Sequence, residues 1–272
     1  MKYMTFNSSC SFAGLANLLS FYGVDTEDRD IALQMRLPYL FACEDGRYLA
    51  GPMLQGAEWF NLYLNPLGFT LCERRLSRGE VCASLQADSP ALLGLRFSPE
   101  SKHAVVYTGS QDGRYQFINN KRKDSPEPET LRLTEEELIT RLDETVAVGR
   151  LEQTEPTRTD YRPYLDSSVR TLQSLMMEIS DFCMVGQSIV ALQRAKNDLF
   201  RPVLVDGVTM LELLGEDVKT EFVTMLRTVR TQFLDVIRAG RSERLEDALD
   251  MPKLIGSIAY YEHLITERIK LE

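Results

Sequence analysis

The sequence is short of histidine and tryptophan, with 2 His and 1 Trp in 272 residues. It holds 5 cysteines, an odd number, and no two of them form a Cys-x-x-Cys pair. This excludes a paired-thiolate zinc or redox motif and a disulfide framework of the secreted type, so we expect free thiols. The helical half also lacks the Glu-x-x-His pairs of a di-metal bundle. We therefore expect no metal and no cofactor.

Positive charge and long apolar runs are scarce as well. Lys and Arg number 31 against 40 Asp and Glu, a formal net charge of −9. Nucleic-acid partners are bound by basic surfaces, so this balance argues against one. No apolar run reaches the roughly 18 residues of a membrane span. The first residues lack the apolar region and cleavage site of a secretion signal, so a cytoplasmic location is expected.

The first two dozen residues carry the most informative pattern of the chain. Apolar residues recur at a spacing of three or four from Phe12 to Tyr22, which predicts a buried helix starting at or next to Cys10. Gly23 ends it. Free backbone N–H groups and the positive end of the helix dipole favour a thiolate at such a start. Cys10 is therefore a candidate nucleophile, the alternative being a small buried hydrophobic residue.

The two histidines fall in different contexts. His263 lies in a helical pattern near the end of the sequence, where a surface pair with Glu267 explains it. His103 precedes the apolar, β-branched run 104–109, which predicts a strand. An Asp-Gly turn signal and the alternating segment 114–119 then predict the return strand of a hairpin.

Cys-x-x-Ala-x-x-Ala-x-Leu-Leu-x-x-Tyr-Gly, from Cys10 to Gly23, resembles the nucleophile helix of the papain-like cysteine peptidases that remove double-glycine leader peptides in bacteriocin export, and of their free-standing relatives. In that family the catalytic histidine opens one strand and the residue that orients it ends the next. The resemblance implies a triad of Cys10 as nucleophile, His103 as base and acid, and Asn119 as orienter. The family usually has Asp followed by Pro where this chain has Asn119-Asn120.

Two further positions depart from the family pattern. Met4 stands where the family has the glutamine of the oxyanion hole, and Ser11 replaces the glycine after the nucleophile. The backbone N–H of Cys10 and, more weakly, the amide of Asn7 remain as candidate donors. Loss of one donor costs about 10²–10³ in rate. Transfer from an activated ester or thioester, and no catalysis at all, therefore stay open beside peptide cleavage.

Around the nucleophile helix the sequence predicts an α+β domain of residues 1–150, papain-like by resemblance. A small, mostly antiparallel sheet is expected from strands at 68–75, 90–97, 104–109, 114–119 and 130–133, with a helix at 78–86 and another opened by a capping box at Thr134. The aromatic, irregular region 37–66 borders the cleft in the resemblance. Trp59 and Tyr39 are its substrate-cleft candidates, although such aromatic side chains more often pack in a core.

Composition changes after Gly149. Residues 151–164 are polar and contain two prolines, which predicts a linker. From 165 to 272 apolar residues recur at helical spacing, including a run from Val218 to Val236, which predicts a C-terminal α-helical bundle of about four or five helices. Homodimerisation, partner recognition and coverage of the thiol cleft are the alternative roles of this bundle.

A Cys/His domain followed by helices is also similar to butirosin-type acyltransferases, for which the implied substrate is an acyl thioester on a carrier protein. The sequence therefore predicts a bacterial thiol-dependent hydrolase or acyltransferase that acts on a peptide or a carrier-protein-bound acyl group. The alternative is a catalytically inactive papain-like protein that oligomerises or binds a partner through its helical domain.

Overall fold

The computed structural model describes residues 1–99, 101–215, 220–240 and 244–272. Its strands, in chain order, are β1 (Phe41–Glu44), β2 (Arg47–Ala50), β3 (Phe69–Ser77), β4 (Ala91–Ser98), β5 (Ser101–Gln111), β6 (Arg114–Asn119), β7 (Thr130–Leu133) and β8 (Thr145–Gln153). Its α-helices are α1 (Cys10–Ser20), α2 (Asp28–Gln34), α3 (Ala57–Leu64), α4 (Arg78–Ala87), α5 (Glu135–Arg141), α6 (Arg162–Met184), α7 (Ile189–Ala195), α8 (Val208–Leu214), α9 (Thr220–Ala239), α10 (Leu245–Ala248) and α11 (Met251–Ile269).

The chain divides into two compact units. Unit 1 comprises Met1–Met35 and Gln55–Thr159, and unit 2 comprises Arg36–Leu54 and Asp160–Glu272. Unit 1 combines helices with a sheet, and unit 2 is built mainly of helices. The predicted α+β class with a helical C-terminal part is confirmed.

Unit 1 is organised by a six-stranded sheet in the order β3-β8-β4-β5-β6-β7, with antiparallel neighbours. The five predicted strands are present, and β3 lies at one edge of the sheet. One face of the sheet forms a core with apolar residues of α4 and α5. The capping box that opens α5 is also present, since Thr134 Oγ1 accepts from the N–H of Glu137 and the Glu137 carboxylate accepts from the N–H of Thr134.

The boundary between the two parts differs from the predicted linker at 151–164. Strand β8 continues to Gln153 and pairs along its length with β3. Beyond it the chain stays bound to unit 1, because Thr154 N donates to Gly68 O (2.9 Å) and Thr157 N donates to Asn65 O (3.0 Å). The polar composition of this stretch therefore reflects an exposed but hydrogen-bonded segment.

Residues 36–54 also depart from the predicted domain boundary, because they pack with the helices of unit 2. The hairpin of β1 and β2 is tied to α6 by the hydrogen bond from Phe41 N to Ser168 Oγ, 2.9 Å long. The ring of Phe41 meets Tyr261 of α11 edge-on at 5.0 Å. Tyr261 in turn donates to the carbonyl of Pro38 at 2.8 Å. Apolar burial against the helices thus assigns this hairpin to unit 2.

The predicted helical periodicity is confirmed in unit 2 within the described residues. The buried side of α6 carries Leu165, Leu172, Leu175 and Ile179, and α9 buries Val229 and Phe233. Val218, which begins the second predicted run, lies outside the described residues. In the part of the chain that the structure describes, we find no helix with the length and apolar character needed to cross a membrane.

Candidate active site

The loop that leads into α1 is fixed by a buried carboxylate, Asp28. It accepts hydrogen bonds from Thr5 N and Thr5 Oγ1, both at 2.7 Å, and from Ser9 Oγ at 2.6 Å. Ser9 is thereby engaged away from α1, and within the described residues no side-chain cap and no first-turn acid satisfies the start of the helix. The backbone N–H groups and the positive end of the dipole at the N-terminus of α1 therefore remain available to Cys10 and to a ligand bound next to it.

Helix α1 is held close to the sheet by a glycine and two asparagines. A Cβ atom at Gly14 would lie 2.6 Å from Leu92 Cδ1 and 2.7 Å from Asn120 Nδ2. Asn17 Nδ2 donates to Asn120 Oδ1 at 2.8 Å, and Asn120 Nδ2 donates to the carbonyl of Ala104 at 2.9 Å. This chain of bonds joins the cysteine helix to β5 at the residue that follows His103.

His103 is the third residue of β5, which starts three residues earlier than the predicted strand at 104–109. It pairs with Leu95 of β4. Its ring lies 5.0 Å from the ring of Phe97, and 22% of its side chain is exposed. The Nδ1 atom is buried and has no hydrogen-bond partner among the described residues. A buried imidazole nitrogen without a hydrogen-bond partner costs free energy, so a hydrogen-bond partner that reached this atom would be stabilising.

Asn119 ends β6 and is fully buried. It pairs with Val105, which places it diagonally across from His103 on the same face of the two strands. Its Nδ2 donates to Glu127 Oε2 at 3.2 Å and to the carbonyl of Pro128 at 3.1 Å. Its Oδ1 is buried without a partner among the described residues. The predicted hydrogen bond from His103 to Asn119 is thus not formed, although both atoms are unpaired.

Cys10 and His103 line one cavity of about 390 Å³ in unit 1, together with Gln55, Phe60 and Ala104. Ser11 also lines it, and its Oγ donates a hydrogen bond to Gln55 Oε1. That bond fixes the oxygen of the Gln55 amide and leaves its Nε2 able to donate to a bound ligand. Ser11, the residue after Cys10, therefore holds an amide beside the thiol.

Charged side chains ring the rest of the cavity. Glu73 and Arg75 reach it from β3, and Lys102 from β5. Lys102 and Arg96 both bind Asp143, at 2.7 and 2.5 Å. The hydrogen bond from Lys102, assisted by Arg96, lowers the pKa of the Asp143 carboxyl below its ordinary value. The cavity can therefore present both signs of charge to a substrate.

The other predicted site residues lie elsewhere. Asn7 is an exposed loop residue, and Trp59 in α3 is 9% exposed while its neighbour Phe60 lines the cavity. Tyr39 belongs to unit 2, where the guanidinium of Arg268 lies 6.0 Å from its ring centre. The roles predicted for these three side chains remain predictions.

Three residues of the site escaped the sequence interpretation. Asn120 directly follows the end of β6, Gln55 precedes a helix without a distinctive pattern, and Glu127 lies in a polar loop. Of these three, only Asn120 could have been noticed in the sequence, because it forms an Asn-Asn pair with Asn119 at the end of a predicted strand. Across the described ranges, no group of three or more His, Cys, Asp or Glu side chains is arranged to hold a metal ion.

Comparison with known proteins gives no sequence relative, because neither a protein-family description nor a curated protein matches the chain. Several solved structures match the chain, among them a peptidase domain and a protease. The peptidase domain of Streptococcus ComA, a bi-functional ABC transporter involved in a quorum-sensing pathway, shares 14% identity over 56% of this chain and 97% of its own, with a TM-score of 0.40. A double-glycine-motif protease from an AMS/PCAT transporter, in complex with the leader peptide, shares 13% identity over 56% of this chain and 89% of its own, with a TM-score of 0.38. Identities this low concern the fold alone.

Proposed function

We propose that this protein is a thiol-dependent acyl-transfer enzyme, a hydrolase or acyltransferase, with Cys10 as nucleophile. The observation that carries the proposal is that Cys10, the first residue of α1, and His103 of β5 line the same cavity. A thiol at a helix start and an imidazole within one cleft are the two parts that nucleophilic acyl transfer needs. Asn119 lies on the neighbouring strand, where it pairs with Val105, two residues after His103.

In the proposed reaction the Cys10 thiol loses its proton to His103. The sulfur then attacks the carbonyl carbon, so that an S–C bond forms and the carbonyl oxygen becomes an oxyanion. Collapse of this intermediate breaks the bond to the leaving amine or thiol, which takes the proton from His103. Water or an acceptor amine next gives a proton to His103 and attacks the acyl-cysteine. The acyl group leaves on the acceptor, and the proton returns to Cys10.

The oxyanion has two candidate donors at the cavity. The backbone N–H of Cys10 lies at the free end of α1, and Gln55 Nε2 is kept available by the bond between Ser11 and Gln55 Oε1. We therefore propose Gln55, in place of Met4 or Asn7, as the side-chain donor of the oxyanion hole.

The substrate class is a peptide or a carrier-bound acyl thioester. The cleft combines the apolar side of Phe60 with the charges of Glu73 and Arg75, a mixture that suits an extended polar chain with a reactive carbonyl. A thioester is the less demanding donor of the two, because its leaving thiolate needs less oxyanion stabilisation and less proton transfer than an amide nitrogen does.

The test is to trap the acyl-enzyme. Wild type and Cys10→Ala are incubated with a small acyl thioester or with a double-glycine leader peptide, and the products are mapped by mass spectrometry. We expect an acyl adduct on the peptide that contains Cys10 and none in the variant, with Cys43→Ala as the matched control, because Cys43 is an exposed thiol of unit 2. Adducts spread equally over Cys10 and Cys43 would contradict the proposal. Cleavage of the leader peptide would identify a peptidase, and thioester consumption alone an acyltransferase.

A further inference from the structure

The loop between β6 and β7 brings a carboxylate to the buried nitrogen of His103. Glu127 Oε2 lies 3.8 Å from His103 Nδ1, and the same oxygen accepts the hydrogen bond from Asn119 Nδ2 at 3.2 Å. Within 4.0 Å of the His103 ring nitrogens, Glu127 is the one carboxylate in the described part of the chain. Asn119 therefore binds the carboxylate that faces the histidine.

Several bonds hold this loop in place. Asn119 N donates to Glu129 O at 2.8 Å, Lys121 Nζ donates to Ser125 O at 2.7 Å, and Glu127 N donates to Ser125 Oγ at 3.3 Å. The Glu127 side chain is 34% exposed, so it is partly shielded from water. A carboxylate fixed in this way keeps more of its interaction with a nearby cation than a freely solvated one.

Four of the other charged groups around this end of β5 have partners of their own, whereas Glu73 and Arg75 line the same cavity as His103. Lys102 and Arg96 bind Asp143, and the guanidinium of Arg141 lies over the ring of Phe97 at 5.5 Å. The Lys121 ammonium is bound by a carbonyl within its own loop. Cys10 lines the same cavity as His103. Glu127 is thus the carboxylate at Nδ1 of His103, and Cys10 is a thiol of the cavity that His103 lines.

We propose that Glu127 is the positioning residue of His103. Its carboxylate accepts a hydrogen bond from Nδ1–H of the imidazole, and Asn119 acts by holding Glu127 in place. Closing the present 3.8 Å to an ordinary hydrogen bond requires a movement of about 1 Å. The bond would place the proton on Nδ1, leave Nε2 to accept the Cys10 proton, and stabilise the imidazolium that results. An amide oxygen can fix the tautomer but gives no such charge stabilisation. The inference rests on the proposed function for its catalytic meaning.

The experiment exchanges the two groups. Glu127→Gln removes the carboxylate, and Asn119→Asp combined with Glu127→Gln reverses the amide-to-carboxylate bond while keeping one carboxylate beside His103. The first readout is the pH titration of the histidine C2 protons by NMR, with His263 as internal control, because the chain has 2 histidines. We expect Glu127→Gln to lower the pH midpoint of the His103 resonance by about one unit and the double variant to restore it, with His263 unmoved.

The second readout is the pH–rate profile of the acyl transfer. Because the carboxylate stabilises the imidazolium, Glu127→Gln should shift the basic limb to lower pH, a change that a merely structural loop residue would not cause. A folded Glu127→Gln protein with an unmoved His103 midpoint would overturn the inference, and so would a double variant that fails to restore it. If Glu127→Gln does not fold, Glu127→Asp replaces it. We then expect a smaller shift of the His103 midpoint, and an unmoved midpoint would contradict the inference.

The two proposals fail separately. If no acyl-enzyme forms on Cys10 and the His103 midpoint still follows the carboxylate, the proposed function falls and the Glu127 contact stands. If the acyl-enzyme forms and the His103 midpoint does not change when the carboxylate is removed, the proposed function stands and the Glu127 inference falls.

Discussion

Asn17, in the middle of α1, donates a hydrogen bond of 2.8 Å to Oδ1 of Asn120. Both side chains are buried, and the nitrogen of Asn120 continues the chain to the backbone carbonyl of Ala104 at 2.9 Å. Two amides thus fix the helix that carries Cys10 to the strand that carries His103. The relative placement of Cys10 and His103, the proposed nucleophile and base, therefore depends on this bridge.

Replacing Asn120 by alanine should therefore loosen the site as well as the fold. The change leaves the Ala104 carbonyl and one amide hydrogen of Asn17 without partners, which costs about 1–3 kcal/mol of unfolding free energy. We expect a lower midpoint in chemical denaturation together with slower alkylation of Cys10. Asn120→Asp keeps an acceptor for Asn17 but sets a buried carboxylate oxygen against the Ala104 carbonyl, so we expect it to be destabilised as well. Equal stability of Asn120→Ala and wild type would contradict the bridge.

Gly14 is required by close approach. A methyl group there would meet Leu92 and Asn120 at 2.6 and 2.7 Å, so α1 would have to move away from the sheet. We expect Gly14→Ala to cost about 1–3 kcal/mol, measured by denaturation. Gly79→Ala in α4 is the control, since nothing lies within 4 Å of its added methyl group and the change should be neutral or slightly stabilising. Similar effects at the two glycines would be evidence against tight packing of α1.

Gln55 should affect turnover without affecting the reactivity of the thiol. Removal of a single oxyanion donor lowers the rate by about 10²-fold, so Gln55→Ala and Gln55→Glu should both show that loss in acyl transfer. Alkylation of Cys10 by iodoacetamide forms no oxyanion and should stay at the wild-type rate. Ser11→Ala, which releases the Gln55 amide, should lose less. A full rate in Gln55→Glu would exclude the donor role.

Asp206 in unit 2 gives a pH dependence of stability. Burial raises the pKa of its carboxyl to about 6, although Arg201 binds it at 3.0 Å and opposes the shift. A raised value means that the folded state prefers the protonated acid. The protonated carboxyl therefore contributes to the free energy of unfolding. This contribution is fully present below the ordinary carboxyl pKa near 4 and is lost as the pH rises through about 6.

The Asp206→Asn variant has no carboxyl to titrate, so it should not lose this part of the free energy of unfolding as the pH rises. We expect the unfolding free energy of the variant, relative to wild type, to increase by about 2 kcal/mol between pH 4 and pH 7. Urea denaturation of both proteins at several pH values measures it. A difference that is constant with pH would show that the carboxyl titrates normally in the folded protein.

The local patterns of unit 1 were predictable from sequence, because they are fixed by periodicity and turn chemistry. The spacing from Phe12 to Tyr22 gave α1, the Asp-Gly turn gave the hairpin of β5 and β6, and Thr134 gave the start of α5. The candidate residues Cys10 and His103 were singled out in the same way, since the start of a helix and the first part of a strand are local features.

The remainder depends on contacts distant in sequence. Strand β8 has buried Val146 and Val148 in alternation, but its polar continuation has the composition of a linker, and only pairing with β3 and β4 makes it a strand. The β1–β2 hairpin joins unit 2 through partners such as Ser168 and Tyr261. Glu127 and Gln55 reach the site from irregular segments, whose course no local pattern determines.

The most direct test of an activated Cys10 is the rate of alkylation by iodoacetamide in the folded protein, mapped by peptide mass spectrometry. Burial raises the pKa of the Cys72 and Cys82 thiols above their ordinary range and that of Cys183 to about 12, which leaves exposed Cys43 as the reference thiol. We predict that Cys10 reacts far faster than Cys43 at mildly acidic to neutral pH, and that His103→Ala removes most of this advantage. Equal rates at the two cysteines, unchanged by His103→Ala, would contradict a thiolate–imidazolium pair and with it the catalytic account.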